Sequence, residues 1–384
     1  MSRTILDIHV LQTIPPSNVN RDDTGSPKTA IYGGVRRARV SSQAWKRATR
    51  KVFADLLDRR DLGVRTKRVV ELLSERIVER APELSDRAVE LATAVLTAAG
   101  FKLKKRKGAE YDETKFLVFL GNHQLDGLAQ LAIEAAAEDK PQVDKKAAKA
   151  REKAAKARVD QDHSIEVALF GRMVADVQDL NVEAAAQVAH AISVHAVDNE
   201  YDYFTAVDDH KEGDETEDAG AAMIETVEFN SATYYRYANV DVDRLFGTLG
   251  DPEATRRAAE AFVRAFVTSM PTGKQTTFAN RTLPDAVLVL ARETQPISLV
   301  GAYEEAIGAR EEGGRVGGAI RRLAEHAAEL HASYDQQPLQ AWAVVPGSRA
   351  DLLAELATPV TLGDLVKGVG ELVARRLEPV GQGV

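Results

Sequence analysis

Between Arg21 and Lys51 the sequence carries Arg21, Lys28, Arg36, Arg37, Arg39, Lys46, Arg47, Arg50 and Lys51 against only Asp22 and Asp23. Cations gathered this densely have one evident chemistry, the neutralisation of phosphate. Ser41, Ser42 and Gln43 add neutral donors, and either serine can cap a helix whose free N-terminal N–H groups also suit an oxyanion. At roughly 100° per residue, Gln43, Lys46, Arg47, Arg50 and Lys51 gather on one side of that helix, with Trp45, Ala48, Val52 and Leu56 on the other. Taken alone, such a helix is commonly a solvated face. Here a loop, a strand and a helix start follow one another directly, so their cations can converge on one groove.

No catalytic constellation accompanies them. His190 and His195 stand five apart, off the i, i+4 spacing that puts two ligands on one helical face. Asp22 with Asp23 has the chemistry to hold Mg²⁺, but adjacent acids in a loop more often cap turns. Pro271 to Gln275 lacks the spacing of a phosphate-cradling loop, and Gly313 to Gly318 lacks its lysine. The expectation is a binding protein, with no catalytic residues, no metal and no cofactor.

The elements that must position these residues are legible in outline. Leu6, Ile8 and Val10 alternate with Asp7 and His9, the pattern of a half-buried strand over residues 4–11. Gln12 to Gly34 holds too many prolines and glycines for regular structure, and Val35 to Val40 reads as a short basic strand leading to a helix over Gln43 to Asp58. Residues 66–180 read as almost wholly helical, with amphipathic runs at Lys67–Glu79, Asp86–Ala99, Asn122–Glu138 and Ser164–Val177 and a lone strand at Lys115–Leu120. Within them Lys145 to Arg158 has strong helix propensity and almost no apolar stripe, so it should project into solvent. Met173 falls in an apolar helical run that reads as core. A helix is expected over Val182–Val197, then a long acidic loop over Asp198–Gly220 that contains Phe204. Strands at Thr226–Asn230, Ala232–Val242 and Ala286–Ala291 and helices at Pro252–Met270 and Pro296–Arg310 complete an α+β chain without internal repeats.

Composition limits what this architecture can be. Of the 384 residues, 44% are hydrophobic and 28% charged, ordinary for a globular protein, and the absence of cysteine excludes disulfides, thiolate zinc sites and cysteine nucleophiles. The formal charge of −8 argues globally against nucleic acid, but the charge is segregated. Basic clusters lie at Arg21–Lys51, Lys102–Lys107 and Lys140–Arg158, and an acidic run at Asp208–Asp218, so local fields decide what each groove attracts. No export signal or membrane span is evident, which points to a soluble cytoplasmic protein.

At NRDD (Asn20–Asp23), GGVRRARVSSQAWKRATRK (Gly33–Lys51), LFGRM (Leu169–Met173), AHAISVH (Ala189–His195) and DYFTAVDD (Asp202–Asp209) the sequence resembles the CasC (Cse4) family, the backbone subunit of the type I-E CRISPR Cascade surveillance complex. The match extends through YRYANV (Tyr235–Val240) to GKQ (Gly273–Gln275) and loosens in the C-terminal third. The resemblance implies an RRM-like (ferredoxin-like) palm over residues 1–65, 182–197 and 232–384, helical fingers over 66–181 and a thumb loop over 198–231. It also implies several copies of the chain along one CRISPR guide RNA, with other Cascade subunits and target DNA as partners and no membrane. By motif position Arg21, Lys28, Ser41, Gln43, Lys46, Arg47 and Arg50 correspond to guide-backbone contacts, and Met173 and Phe204 to apolar residues near a displaced nucleotide. The Ala-Lys helix lies where the family's fingers lysines guide target DNA, making Lys145, Lys149 and Lys156 candidates for that role. Two other readings stand beside this one: a metal-dependent RNase using Asp22 or Asp23, and a helical scaffold that binds only protein.

Overall fold

The computed structural model describes residues 3–105, 108–137, 145–174, 178–206 and 223–378. In chain order its strands are β1 (Ile5–Ser17), β2 (Thr29–Tyr32), β3 (Val35–Val40), β4 (Gly63–Thr66), β5 (Leu103–Lys104), β6 (Glu113–Thr114), β7 (Val118–Gly121), β8 (Ala186–Val188), β9 (Ala191–Ser193), β10 (Glu200–Ala206), β11 (Met223–Asp241), β12 (Ala286–Arg292), β13 (Gln340–Val344) and β14 (Thr358–Pro359). The helices are α1 (Ser42–Leu56), α2 (Val69–Arg80), α3 (Ala88–Ala98), α4 (Asn122–Ala137), α5 (Lys145–Val159), α6 (Ile165–Phe170), α7 (Val242–Leu249), α8 (Pro252–Thr268), α9 (Gln275–Phe278), α10 (Gly314–Ser333) and α11 (Leu362–Leu377). None among the described residues is long and apolar enough to cross a membrane.

The chain divides into two compact units, residues 1–52, 188–239 and 262–369 in one and 53–187, 240–261 and 370–384 in the other. In the first, the sheet runs β14-β13-β12-β1-β11-β9-β3-β2, with β10 paired to β11. Taking β1, α1, β9, β11, α8 and β12 in order gives a βαββαβ path, and the neighbours β12-β1-β11-β9 give the strand order of a ferredoxin-like, RRM-like palm. The fold is therefore α+β, and the helical insertion falls between α1 and β9.

Strand β1 is buried on both faces rather than half-buried as its alternation predicts. Ile14 packs with Trp45 on the α1 side, while Leu11 packs with Ile320 and Leu323 of α10 on the other. Under α10, Asp7 accepts from Arg292 Nε at 2.8 Å and from the Tyr237 hydroxyl at 2.7 Å, so the charge the pattern assigns to solvent is paired inside. Burial still pushes the Asp7 carboxyl up to about 6. His9 stacks on Tyr235 and Tyr237 and is pulled down to about 3 by burial, then by Arg292 and His331.

Several expected elements differ, each for a local reason. β1 continues through Pro15 and Pro16 to Ser17, and the rest of the expected loop contains β2, which forms a hairpin with the expected strand β3, registered Thr29↔Ala38 to Tyr32↔Val35. Val182 to Val197 is not a helix. Its backbone is drawn into the sheet by partners on both sides, Tyr234↔Ser193 and Arg39↔Ile192, which override the helix propensity of its alanines. Pro296 to Arg310 reduces to one 3₁₀ turn at Val300–Tyr303. Buried Leu299, Tyr303 and Ile307 imitate a helical spacing, but Arg37 donates to the Tyr303 and Glu304 carbonyls at 2.9 and 3.0 Å. The acidic loop begins as a strand, because β10 pairs with β11 from Glu200↔Phe229 to Ala206↔Met223, and residues 207–222 lie outside the described ones.

In the second unit α2, α3, α4 and α5 enclose a core that includes Val70, Leu73, Ile77, Leu96, Leu125, Leu128, Ala155 and Val159. The expected lone strand pairs after all, β7 with β4 from Gly63↔Gly121 to Thr66↔Val118. The run predicted over Ser164–Val177 ends at Phe170, where Gly171 turns out of the helix at φ 76°, a conformation that favours glycine. α5 does not simply project into solvent. Ala155 and Val159 are buried as a narrow seam, and Arg172 Nη2 and Gln124 Nε2 donate to the Val159 carbonyl at 3.1 and 2.6 Å.

Candidate nucleic-acid interface

The sheet unit assembles the basic segment through backbone ties that its own polar side chains supply. Asn20 is the hinge: its carbonyl accepts from Lys28 N at 2.9 Å and its Oδ1 from Ser41 N at 2.7 Å, which locks the loop of Arg21 to the start of α1. Ser41 Oγ then accepts from Ala44 N at 3.3 Å, and His190 Nδ1 accepts from Ser42 N at 3.2 Å. Both are N-terminal caps. Burial, then Arg39 and Lys28, lower the His190 pKa, which keeps it the neutral acceptor this cap requires.

One oxygen of Asp22 is taken up within the loop. Its Oδ1 accepts from Thr24 N, Thr24 Oγ1 and Ser26 N at 2.9, 2.7 and 3.0 Å, and the Thr24 hydroxyl leads the interactions that hold its carboxyl below the usual range. Beside it, Asp22, Asp23, Lys28, Thr29 and Arg39 line a cavity of about 490 Å³. No group of three or more His, Asp or Glu suited to a metal ion occurs among the described residues. The GKQ segment buttresses the same loop from behind. A Cβ on Gly273 would stand 2.4 Å from the Val19 carbonyl oxygen, so only glycine allows that approach.

On α1, Gln43 and Arg47 are exposed and Lys46 and Arg50 half-buried, whereas Trp45, Thr49 and Phe53 are fully buried. Burial of its stem lowers the Lys46 pKa. The structure thus brings together Arg21, Lys28, Ser41, Gln43, Lys46, Arg47 and Arg50 in one unit. It does not bring Arg37 with them. That guanidinium is buried and donates to the carbonyls of Tyr32, Ser193, Tyr303 and Glu304, a structural clamp rather than a phosphate ligand.

Met173, expected in the core, is 82% exposed, because its neighbour Arg172 takes the interior position and donates to Leu180 O at 2.7 Å. Met173, Lys149 and Lys156 belong to the helical unit, Lys149 and Lys156 both on the exposed side of α5. Phe204 lies in β10 opposite Glu225 rather than in a loop, and its side chain and that of Lys145 are outside the described ones. Asn20 and Gly273 were not predicted as site residues. Their motifs, NRDD and GKQ, contain them without indicating a role.

A model of the CT1975-like protein family (Cas_CT1975) matches residues 6–368. The chain belongs to that family. Among solved structures it is similar to a chain titled "CRISPR RNA-guided surveillance complex, pre-nicking", with TM-score 0.82 and 35% identity over 96% of this chain and 100% of that one. A second, titled "CRISPR RNA-guided surveillance complex", gives TM-score 0.70 and 32% identity over 95% and 99%. No curated protein matches.

Proposed function

We propose that this chain is a guide-RNA-binding backbone subunit of a Cascade-type CRISPR surveillance complex, of the type I-E CasC kind, and that it binds without cutting. The observation that carries the reading is the cationic face of α1, capped by Ser41 and His190 and joined through Asn20 to the loop of Arg21 and Lys28. Such a face holds phosphates and sugars of any sequence and leaves base edges free to pair with a target. The similarity to subunits of RNA-guided surveillance complexes supports the same reading.

In this scheme copies of the chain line one guide in the cytoplasm beside other Cascade subunits. Arg21, Lys28, Ser41, Gln43, Lys46, Arg47 and Arg50 contact the guide backbone, Met173 and Phe204 lie near a displaced nucleotide, and Lys145, Lys149 and Lys156 attract target DNA. The palm, fingers and thumb are assigned to residues 1–65, 182–197 and 232–384, to 66–181 and to 198–231. The engagement of Asp22 by three donors favours binding over metal-dependent RNA cleavage. Purification from cells with sequencing of bound small RNA tests the proposal. Guide RNA of uniform length should accompany the protein, and a preparation free of nucleic acid would contradict it.

A further inference from the structure

We infer that Arg236 is the positioning residue of the phosphate-facing helix, fixing the direction of the α1 cations by stacking its buried guanidinium on the Trp45 ring. The inference rests on the guide-binding reading of α1 and extends it to a residue that touches no ligand.

Arg236 lies on β11 and is 1% exposed. Its guanidinium carbon sits 3.7 Å from the centroid of Trp45 and 4.6 Å from that of Phe266. Nη1 donates to Gln12 Oε1 at 2.6 Å and Nη2 to the Phe266 carbonyl. One side chain therefore joins β11, α1, β1 and α8.

Packing alone does not account for an arginine here. Burial brings its pKa down to about 9, with no carboxylate opposing the shift. A buried cation without a counterion costs free energy that an apolar residue of similar volume avoids. What an apolar residue lacks is a flat, charged plate whose in-plane donors are fixed by Gln12 and Phe266 while its face grips an aromatic ring. Arg236 Nε and Trp45 Nε1 are both buried without a hydrogen-bond partner, so within the apolar cluster around the indole the stack is the contact that engages its face with a charge. Elsewhere along the helix Thr49 adds one long contact, 3.3 Å to Ser269 Oγ. The caps at Ser41 and His190 fix where α1 starts, and the stack on Trp45 fixes how it is rolled. A roll of roughly 20° moves a side-chain tip about 6 Å from the axis by about 2 Å, more than a hydrogen bond tolerates. Lys46 and Arg50 would then leave their phosphates.

The test is a thermodynamic cycle on the full-length protein, with binding of a labelled mixed-sequence single-stranded RNA measured across a salt series. Arg236→Met should weaken binding roughly tenfold and lower the slope of log K against log salt by about 0.7 to 1.4, the loss of one or two phosphate contacts. Arg236→Lys, which keeps the charge near Trp45, should recover part of both. On a Lys46→Ala/Arg50→Ala background, Arg236→Met should add little, because the contacts it misdirects are already gone. A wild-type slope for Arg236→Met, or an undiminished extra loss on that background, overturns the inference and makes Arg236 merely structural. If Arg236→Met does not fold at the assay temperature, Arg236→Lys is carried through the same cycle, with a smaller loss expected that does not add on the Lys46→Ala/Arg50→Ala background, and an undiminished extra loss there overturns the inference. If Lys46→Ala/Arg50→Ala itself leaves affinity and slope unchanged, the guide-binding reading of α1 fails, a different result from the failure of Arg236 alone.

Discussion

Two helices in this chain carry rows of cations, and they are built in opposite ways. α1 buries Trp45, Thr49 and Phe53, is capped by Ser41 and His190, and is gripped by Arg236. α5, in its described part, buries only Ala155 and Val159, and one of its cations, Lys156, is already paired with Glu152 at 2.7 Å. An anchored helix holds its charges where individual phosphates can be met at hydrogen-bond distance. A helix resting on an alanine seam offers a diffuse positive field. The first suits a strand held in place, and the second suits a duplex that arrives and passes along.

The largest effect that can break this comparison is on stability. Trp45→Ala should cost about 3–5 kcal/mol in the urea unfolding of the sheet unit, the range for truncating a buried large aromatic. Val159→Ala should cost the helical unit only about 2 kcal/mol, in line with two buried methyl groups and a small cavity. Equal costs would mean that the two helices are anchored alike.

Acid should separate frame from charge. In the unfolded chain, imidazoles take protons near 6.5, whereas buried His9 does so only at about 3 and His331 at about 4. The unfolded state thus binds more protons, and stability falls as pH drops from 6.5 toward 4. Asp7 works in the opposite direction between about 6 and 3.8, since its native carboxyl takes the proton first, but one carboxyl does not offset two imidazoles. The urea midpoint of the sheet unit should therefore be lower at about pH 5 than at about pH 7. RNA binding through the α1 face should persist wherever the unit remains folded. A higher midpoint in acid would contradict the account of the buried network.

How far the sequence showed this contrast depends on where the information lies. Strand β3 was legible as a short basic run after Gly33 and Gly34, and the two faces of α1 because cations and apolar residues there follow a helical period. The buried network on β1 was not, since α10, the helix that covers Asp7 and His9, begins with Gly314, Gly317 and Gly318 and carries no visible start signal. Arg37 was read with its exposed neighbours because nothing local distinguishes it from Arg36. Its partners Ser193, Tyr303 and Glu304 are more than 150 residues away. Ala155 and Val159 escaped notice for a related reason. Alanine marks a close helix contact only when the opposing helices are known.

The smallest expected effect concerns α5. Lys145, Lys149 and Lys156 changed together to Gln should leave guide loading intact and weaken capture of target duplex roughly two- to fivefold at low salt, with the difference shrinking as salt rises. Mobility shifts at matched guide occupancy measure this, and affinity equal to wild type at every salt would return α5 to a solvated surface helix.

The central claim is that the α1 face meets the guide backbone at discrete phosphates, and RNA binding by Lys46→Ala/Arg50→Ala against wild type tests it most directly. Several unrelated RNA sequences should each bind more weakly by the same factor. The slope of log K against log salt should fall by roughly 0.7 for each contact removed, while the unfolding midpoint stays near wild type. An unchanged slope, or a loss confined to particular sequences, would contradict the account.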